Sequence, residues 1–394
     1  MTRIGQISPP ASRFGSYSQW VREVIRSVKR DRNLLVALFE SSVPEPVELL
    51  RELVSGAFSQ GVSSRYVSAF ADGNPFVLAA LSQRLGVPED HLLCTTGATG
   101  ALSLIYRSLL VPGHRILVET PSFDLFHTIA ASLDHGVDHF ERRGPGFAID
   151  PEDIRRALTP ATRIILLSNL HNPSGAALDR ETLAAIGTVA EAHGAVVIVD
   201  EVYADYAGAD FVAATTDISP NFIRIGSLTK GWGLSTLRCG WIVAEPGLLA
   251  QMRALNQEVE FGVSKLAHAM AALVLEDAPR FDGWRDGIMR DARPIMEAYH
   301  AHWLAEGLVT GELPTHGCTT FARLTGIRHS EHFSEWLADR CGVVVAPGEY
   351  FGAPGHLRIG FAAPRAELDY GLQALTDGLK RYREIFPAKV EAAE

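Results

Sequence analysis

From about residue 90 the chain alternates short runs of aliphatic and β-branched residues with helical patterns, and a polar or glycine-rich group follows each run. The runs are Leu92–Thr96, Arg115–Glu119, Arg163–Ser168, Ala195–Asp200 and Asn221–Ser227, with helices predicted through Leu110, from Phe123 and over Glu181–His193. Near-continuous apolar strands separated by helices imply a mostly parallel sheet covered on both faces. Past residue 245 the pattern changes. Amphipathic stretches cover Pro246–Leu275 and Arg280–Leu308, a β-rich region includes Thr319–Leu324, Gly342–Ala346 and His356–Phe361, and a final helix spans Pro364–Ile385. The expected architecture is α/β: a large three-layer domain on a mostly parallel sheet over residues 47–275, and a smaller α+β domain from residues 1–46 and 276–394.

The bulk properties narrow the function classes. At 394 residues the chain can bury a substantial core. Its net charge of −10 is wrong for a broad nucleic-acid surface. The four cysteines form no CxxC pair and lie near no histidine at ligand spacing, so neither a metal site nor a disulfide framework is expected. Reduced thiols suit a cytoplasmic protein. The first twenty residues lack the apolar core of a leader, and no run approaches the ~20 apolar residues needed to cross a membrane.

Ligands of open α/β sheets bind beyond the carboxyl ends of the strands. Five groups sit there: Gly97-Ala98-Thr99, Pro121-Ser122-Phe123, Asn172-Pro173-Ser174-Gly175, Asp200, and Ser227-Leu228-Thr229-Lys230. A lysine that attacks a carbonyl needs a depressed pKa or a preformed imine, and an imine to pyridoxal 5'-phosphate (PLP) supplies the second. Ser227 and Arg238 suit the phosphate of such a cofactor. Asp200 ends an apolar strand, and a carboxylate at that depth must be paired. A pyridinium nitrogen is a fitting partner, since a buried anion keeps it protonated and makes the ring an electron sink. Tyr203 and Asn172 suit the ring oxygen, and Phe123 can stack on the ring. The amides at Gly97, Ala98 and Thr99 open a helix and suit phosphate. This loop is not G-x-G-x-x-G, which disfavours a dinucleotide fold. Arg358, flanked by apolar residues in His-Leu-Arg-Ile-Gly-Phe, reads as a bidentate clamp for an α-carboxylate. Each signal has a plain alternative: a surface lysine, a helix N-cap, a turn, core packing or an edge-strand arginine.

Taken together, TTGATGAL, ETPSFDLF, NLHNPSG, VDEVYADY, SLTKGWGLSTLRCGW and LRIGF resemble the fold-type I PLP enzymes of the class I/II aminotransferase family, over about residues 60–380. The resemblance implies that Lys230 forms the Schiff base and shuttles the Cα proton. It makes Asp200 the pyridinium partner, Asn172 and Tyr203 the ring-oxygen ligands, and Phe123 the stacking aromatic. Ala98, Thr99, Ser227 and Arg238 become phosphate ligands, Arg358 the clamp on the substrate carboxylate, and Asn172 a second substrate-binding residue. It also implies a homodimer with a shared active site, in which Tyr66 reaches the partner subunit's cofactor. Two departures stand out. Where the family commonly has a glycine in a substrate-covering segment, this chain has Leu38-Phe39-Glu40-Ser41-Ser42-Val43-Pro44, and no second arginine is assignable to a substrate side-chain carboxylate.

The expected activity is transfer of an amino group from an L-amino acid to a 2-oxo acid by a ping-pong route through Lys230. The run GVVVAPGEYFGAPGHLRIGFAAPRAELDYGL is also similar to cyclases of the capreomycidine synthase type, which cyclise a hydroxyarginine on the same fold. That resemblance implies the alternative, a PLP-dependent lyase or cyclase acting on a basic amino acid. A PLP-binding regulator would need a DNA-binding segment, and the residues before 90 contain no basic helix-turn-helix.

Overall fold

A computed structural model describes residues 14–30, 36–69, 72–259 and 262–387. Residues 1–13, on which much of the leader reading rests, lie outside the described residues. Seven strands form the central sheet in the order Leu92–Thr95, Gly240–Val243, Phe222–Ser227, Val196–Asp200, Thr162–Ser168, Arg115–Thr120, Gly136–Glu141. Phe222–Ser227 through Gly136–Glu141 pair in parallel, while Gly240–Val243 runs antiparallel to both neighbours. The sequence reading finds five of the seven. It misses Gly136–Glu141, an edge strand whose GVDHFE offers no apolar run, and Gly240–Val243, a four-residue strand directly behind the Lys230 loop.

Successive strand residues serve opposite layers, as the two-residue pleat requires. Ile116, Ile164, Ile198 and Ile223 pack with the helices Gly97–Leu109, Leu125–Ser132 and Pro246–Val259. Their neighbours Leu117, Ile165, Val197 and Phe222 pack with Pro151–Ala157 and Arg180–His193 on the other face. The inner strands are therefore largely apolar on both sides, with Arg224, buried and paired with Glu201, the mid-strand exception in Phe222–Ser227.

One expectation needs correction. Pro246–Leu275 is two helices, Pro246–Val259 and Lys265–Glu276. The apolar spacing resumes after the break and hides it. The local chemistry does not: Gly262 has φ +95°, and the Ser264 side chain accepts from the Ala267 amide to start the second helix.

Beyond residue 276 a four-stranded antiparallel sheet, ordered Ala346–Pro347, His356–Gly360, Thr319–Leu324, Val309–Thr310, packs against helices Ala278–Ala305, Ser330–Cys341 and Arg365–Ile385. Its core includes Trp303, Phe333, Leu357, Ile359, Leu372 and Leu375, together with Val36 and Leu38 from the N-terminal segment. Val36–Ala37 pairs in parallel with Val343–Val344, and the Gly360 amide donates to Leu38 O at 2.7 Å. Among the described residues no helix is long and apolar enough to cross a membrane, and no group of side chains is arranged to hold a metal ion.

The join between the N-terminal segment and the small sheet is close enough to test. A Cβ on Gly360 would stand 1.6 Å from the Glu40 carbonyl oxygen. Gly360→Ala is expected to lower unfolding free energy by about 1–3 kcal/mol or more in urea titrations, since backbone must move. Gly56→Ala, in a helix with nothing within 4 Å of the new methyl, should be neutral or stabilising. Equal stability of Gly360→Ala and the native chain would contradict this packing.

Candidate active site

Strand register fixes the floor of the cleft. Asp200 is the last residue of its strand and pairs with Ser168 and Ile225 in the flanking parallel strands. It is 7% exposed, and Oδ1 accepts from the Val202 amide at 3.1 Å. Burial pushes its carboxyl up to about 7, against the pull of that amide and of the Lys230 charge.

Ser227 ends the next strand, and the turn after it presents Lys230. The ammonium donates to Ser41 Oγ at 2.9 Å and lies 5.6 Å from the centre of the Tyr203 ring. Burial and then the Arg358 charge hold the lysine below its ordinary pKa. The Tyr203 hydroxyl is buried without a hydrogen bond of normal geometry, although Ser41 is near enough to act on its acidity.

The glycine-rich loop lies against this turn. Ser227 pairs with Gly240, and a Cβ on Gly240 would meet the Gly97 carbonyl carbon at 2.5 Å. Arg238, in the left-handed region at φ 46°, donates to Thr96 O at 3.1 Å and blocks any side chain on Gly97. No side chain caps the helix that Gly97, Ala98 and Thr99 open, so its first amides stay free for an anion.

Arg358 closes the cleft from the small sheet, at 1% exposure. It donates to Asn172 Oδ1 at 3.0 Å, to Phe39 O at 3.1 Å and to the Tyr17 hydroxyl, and lies over the paired Tyr17 and Phe351 rings, 4.8 and 4.9 Å from their centres. A guanidinium only donates, so this contact fixes the Asn172 amide and leaves Nδ2 as its donor toward the cleft. Arg358 Nε is buried without a partner, so the side chain keeps a donor for an incoming acceptor. Phe123 is half-buried and meets the Tyr17 ring edge-on, with centroids 6.0 Å apart.

Behind Asn172 lies a buried ion pair. Arg142 Nε donates to Glu119 Oε2 at 2.6 Å, and Glu119 Oε1 accepts from the Ser168 amide and hydroxyl at 2.8 and 2.6 Å. Ser168 Oγ in turn accepts from the Asn172 amide at 3.0 Å. His171 bonds Pro121 O and Ser174 Oγ, and burial beside Arg142 keeps it neutral.

The structure thus brings Gly97, Ala98, Thr99, Phe123, Asn172, Asp200, Tyr203, Ser227, Lys230, Arg238 and Arg358 to one region. Tyr66 stands apart, 37% exposed, its ring against the Lys265 ammonium at 4.2 Å. Sequence reasoning missed Tyr17 and the role of Ser41. Neither carries a motif; only the amphipathic stretch around Tyr17 and the unusual Ser41 position marked them.

These donors fit PLP: a buried carboxylate for the ring nitrogen, an unpartnered phenol and an amide for the ring oxygen, uncapped helix amides with Arg238 for phosphate, and a lysine of lowered pKa. The fold and site define a fold-type I PLP enzyme. The family model for aminotransferase class I and II matches residues 56–375, and the chain belongs to that family. It is similar to capreomycidine synthase of Streptomyces vinaceus, 30% identical over 318 residues that cover 78% of this chain and 79% of that one. It is also similar to arginine–pyruvate transaminase of Pseudomonas aeruginosa, 29% identical over 284 residues covering 70% and 71%. In fold it matches a single mutant of Thermus thermophilus aspartate aminotransferase, with TM-score 0.81 and 20% identity over 96% of this chain and 99% of that one.

The buried carboxylate predicts a pH dependence. A folded pKa raised to about 7 means the cofactor-free protein loses stability as pH rises from the ordinary carboxylate range through about 7. Asp200→Asn removes that loss. Without cofactor it should match the native chain near pH 4 and exceed it at pH 8, by on the order of 2–4 kcal/mol in urea titrations. A difference that does not change with pH would show that Asp200 ionises normally.

Proposed function

We propose that this chain moves an amino group from an L-amino acid to a 2-oxo acid in two half-reactions, with Lys230 as covalent anchor and proton carrier. The observation that carries the reading is the convergence of Lys230, Asp200 and Arg358 on one cleft from three separate segments. When bound, PLP supplies an electron sink that lets the substrate Cα release a proton.

The protein's own groups prepare and use that sink. Asp200 holds a proton on the ring nitrogen, and the cation it gains there offsets the desolvation that raises its own pKa. Tyr203 and Asn172 Nδ2 donate to the ring oxygen, and Phe123 covers a ring face. The amides of Gly97, Ala98 and Thr99, with Ser227 and Arg238, hold the phosphate. Arg358 takes the α-carboxylate and so fixes the direction in which Cα presents its proton. Lys230 Nζ, neutral more readily than a solvated lysine, takes that proton and returns it. In the first half water supplies the keto oxygen as a 2-oxo acid leaves and the nitrogen stays with the enzyme; in the second another 2-oxo acid collects the nitrogen and a water is released.

In this reading residues 47–275 carry the cofactor, and residues 1–46 with 276–394 supply the substrate side. A homodimer completes the site, with exposed Tyr66 directed to the partner subunit's phosphate. Four unpaired cysteines suit a reducing cytoplasm.

A second reading is a lyase or cyclase acting on a basic amino acid. The similarity to capreomycidine synthase favours it. So does the Glu40 carboxylate, which is close enough to act on Lys230 and Tyr17 and suits a cationic substrate side chain. Both readings use the same cofactor residues.

Absorbance separates them. Mixing the loaded enzyme with single amino acids, arginine included, should leave the aminated cofactor; return of the starting spectrum with product formed would favour elimination or cyclisation. Lys230→Ala should lose the absorbance of lysine-linked cofactor and all turnover, and retention of that absorbance would refute the assignment. Arg358→Lys should raise KM for the amino donor roughly 100-fold, on the scale of a lost bidentate pair, while the cofactor stays bound. Loss of cofactor instead would mean that Arg358 does not serve the substrate.

A further inference from the structure

We propose that Ser41 is a positioning residue for Lys230, holding the ε-amine at one point through both of its protonation states and coupling it to the Tyr203 phenol. The inference rests on the reading of Lys230 as anchor and proton carrier.

The segment 39–43 grips Lys230 at both ends. Ser41 Oγ accepts from Nζ at 2.9 Å. Two residues on, the Val43 amide donates to Tyr206 Oη at 3.1 Å, and that hydroxyl donates to the Lys230 carbonyl at 2.8 Å. Val43 lies close against the lysine turn, its carbonyl oxygen 2.5 Å from where a Cβ on Gly233 would stand. Two residues back, Phe39 O accepts from Arg358. Ser41 is 5% exposed, so its hydroxyl works without competition from bulk water.

Ser41 therefore sits midway between the substrate clamp and the lysine turn, on a strand of backbone fixed at both flanks. A glycine here would leave Nζ without this partner. A carboxylate would favour only the ammonium, and a backbone amide only the neutral amine. A hydroxyl accepts from the ammonium and donates to the amine, so the nitrogen keeps its place as the proton comes and goes. Near Ser41 lies the Tyr203 hydroxyl, buried without a hydrogen bond of normal geometry. When Nζ is occupied elsewhere, the Ser41 hydroxyl can turn to that phenol, so one small group serves both partners in turn.

Ser41→Ala and Ser41→Thr test this. The full chain, stripped of cofactor and mixed with PLP, reports the rate of covalent capture by Lys230 through its absorbance. The reloaded enzyme reports kcat and KM. Ser41→Ala should capture PLP roughly tenfold more slowly and lower kcat by a similar factor, the scale of one hydrogen bond, with final occupancy and KM within about twofold. Ser41→Thr should recover most of both. Capture and turnover in Ser41→Ala equal to the native chain would overturn the proposal, as would equal losses in the Ala and Thr variants. If no amino acid transfers its nitrogen, the capture rate still decides the matter. If Lys230→Ala captures PLP as the native chain does, the reading of Lys230 falls first.

Discussion

A guanidinium buried to 1% exposure sets the terms for this cleft. Removing a charge from water is costly unless its donors find acceptors, and a partner removed from such a group leaves a penalty of several kcal/mol. Arg358 finds its acceptors on three segments: Asn172 after a strand of the large sheet, Phe39 in the N-terminal segment and Tyr17 in the first described helix. Each must therefore arrive at one point for the arginine to be tolerable there. The cationic clamp and the closure of the cleft are a single solution to one electrostatic problem. The Arg358 Nε is the one donor that these acceptors leave buried without a partner.

A second buried charge does comparable work from below. Glu119 and Arg142 have fully buried side chains, and their remaining hydrogen bonds go to Ser168 and to backbone carbonyls. The pair holds Ser168, and Ser168 holds the Asn172 amide. Asn172 is thus fixed from behind by a carboxylate network and from the front by Arg358. Ser168 holds the backbone N–H of Asn172 and Arg358 holds its side-chain oxygen, so the side-chain Nδ2 donor is turned away from the guanidinium.

The legibility of the sequence follows from the same physics. The strand bearing Asp200 was readable because it is apolar on both faces, and the one bearing Ser227 because its aliphatic residues outweigh the single buried Arg224. The edge strand Gly136–Glu141 was not, because an edge needs no apolar run. Lys230, Asp200, Asn172 and Arg358 were visible as polar groups at strand ends or in an apolar strand. Their mutual geometry was not, since the Arg358–Asn172 contact joins residues 186 positions apart. Tyr17 was illegible as a site residue, and Ser41 was visible only as a departure in a substrate-covering segment, not as a partner of Lys230. Their importance comes only from the tertiary arrangement that sets one against Arg358 and the other against Lys230. The break between Val259 and Lys265 was legible in principle through Ser264, and periodicity concealed it.

This division also explains how relatives with differently named activities can share one cofactor site. Groups that hold and polarise a PLP ring sit at strand ends, where register allows them almost no freedom. What happens to the substrate after its Cα proton leaves depends on where that proton is returned and on what meets the side chain. In this chain the segment Phe39–Val43 lies against Lys230: Ser41 Oγ accepts from its amine, and the Glu40 charge acts on it. That segment is held by hydrogen bonds to Arg358 and Tyr206 rather than by sheet register, apart from the short pairing at Val36–Ala37. Phe39 packs with Phe321 and Ala346 of the small sheet, and Val43 with Leu170 and Tyr203. Within the segment Glu40 is exposed and Ser42 half-buried, whereas Ser41 is buried against Lys230, so side-chain change is least constrained at Glu40 and Ser42.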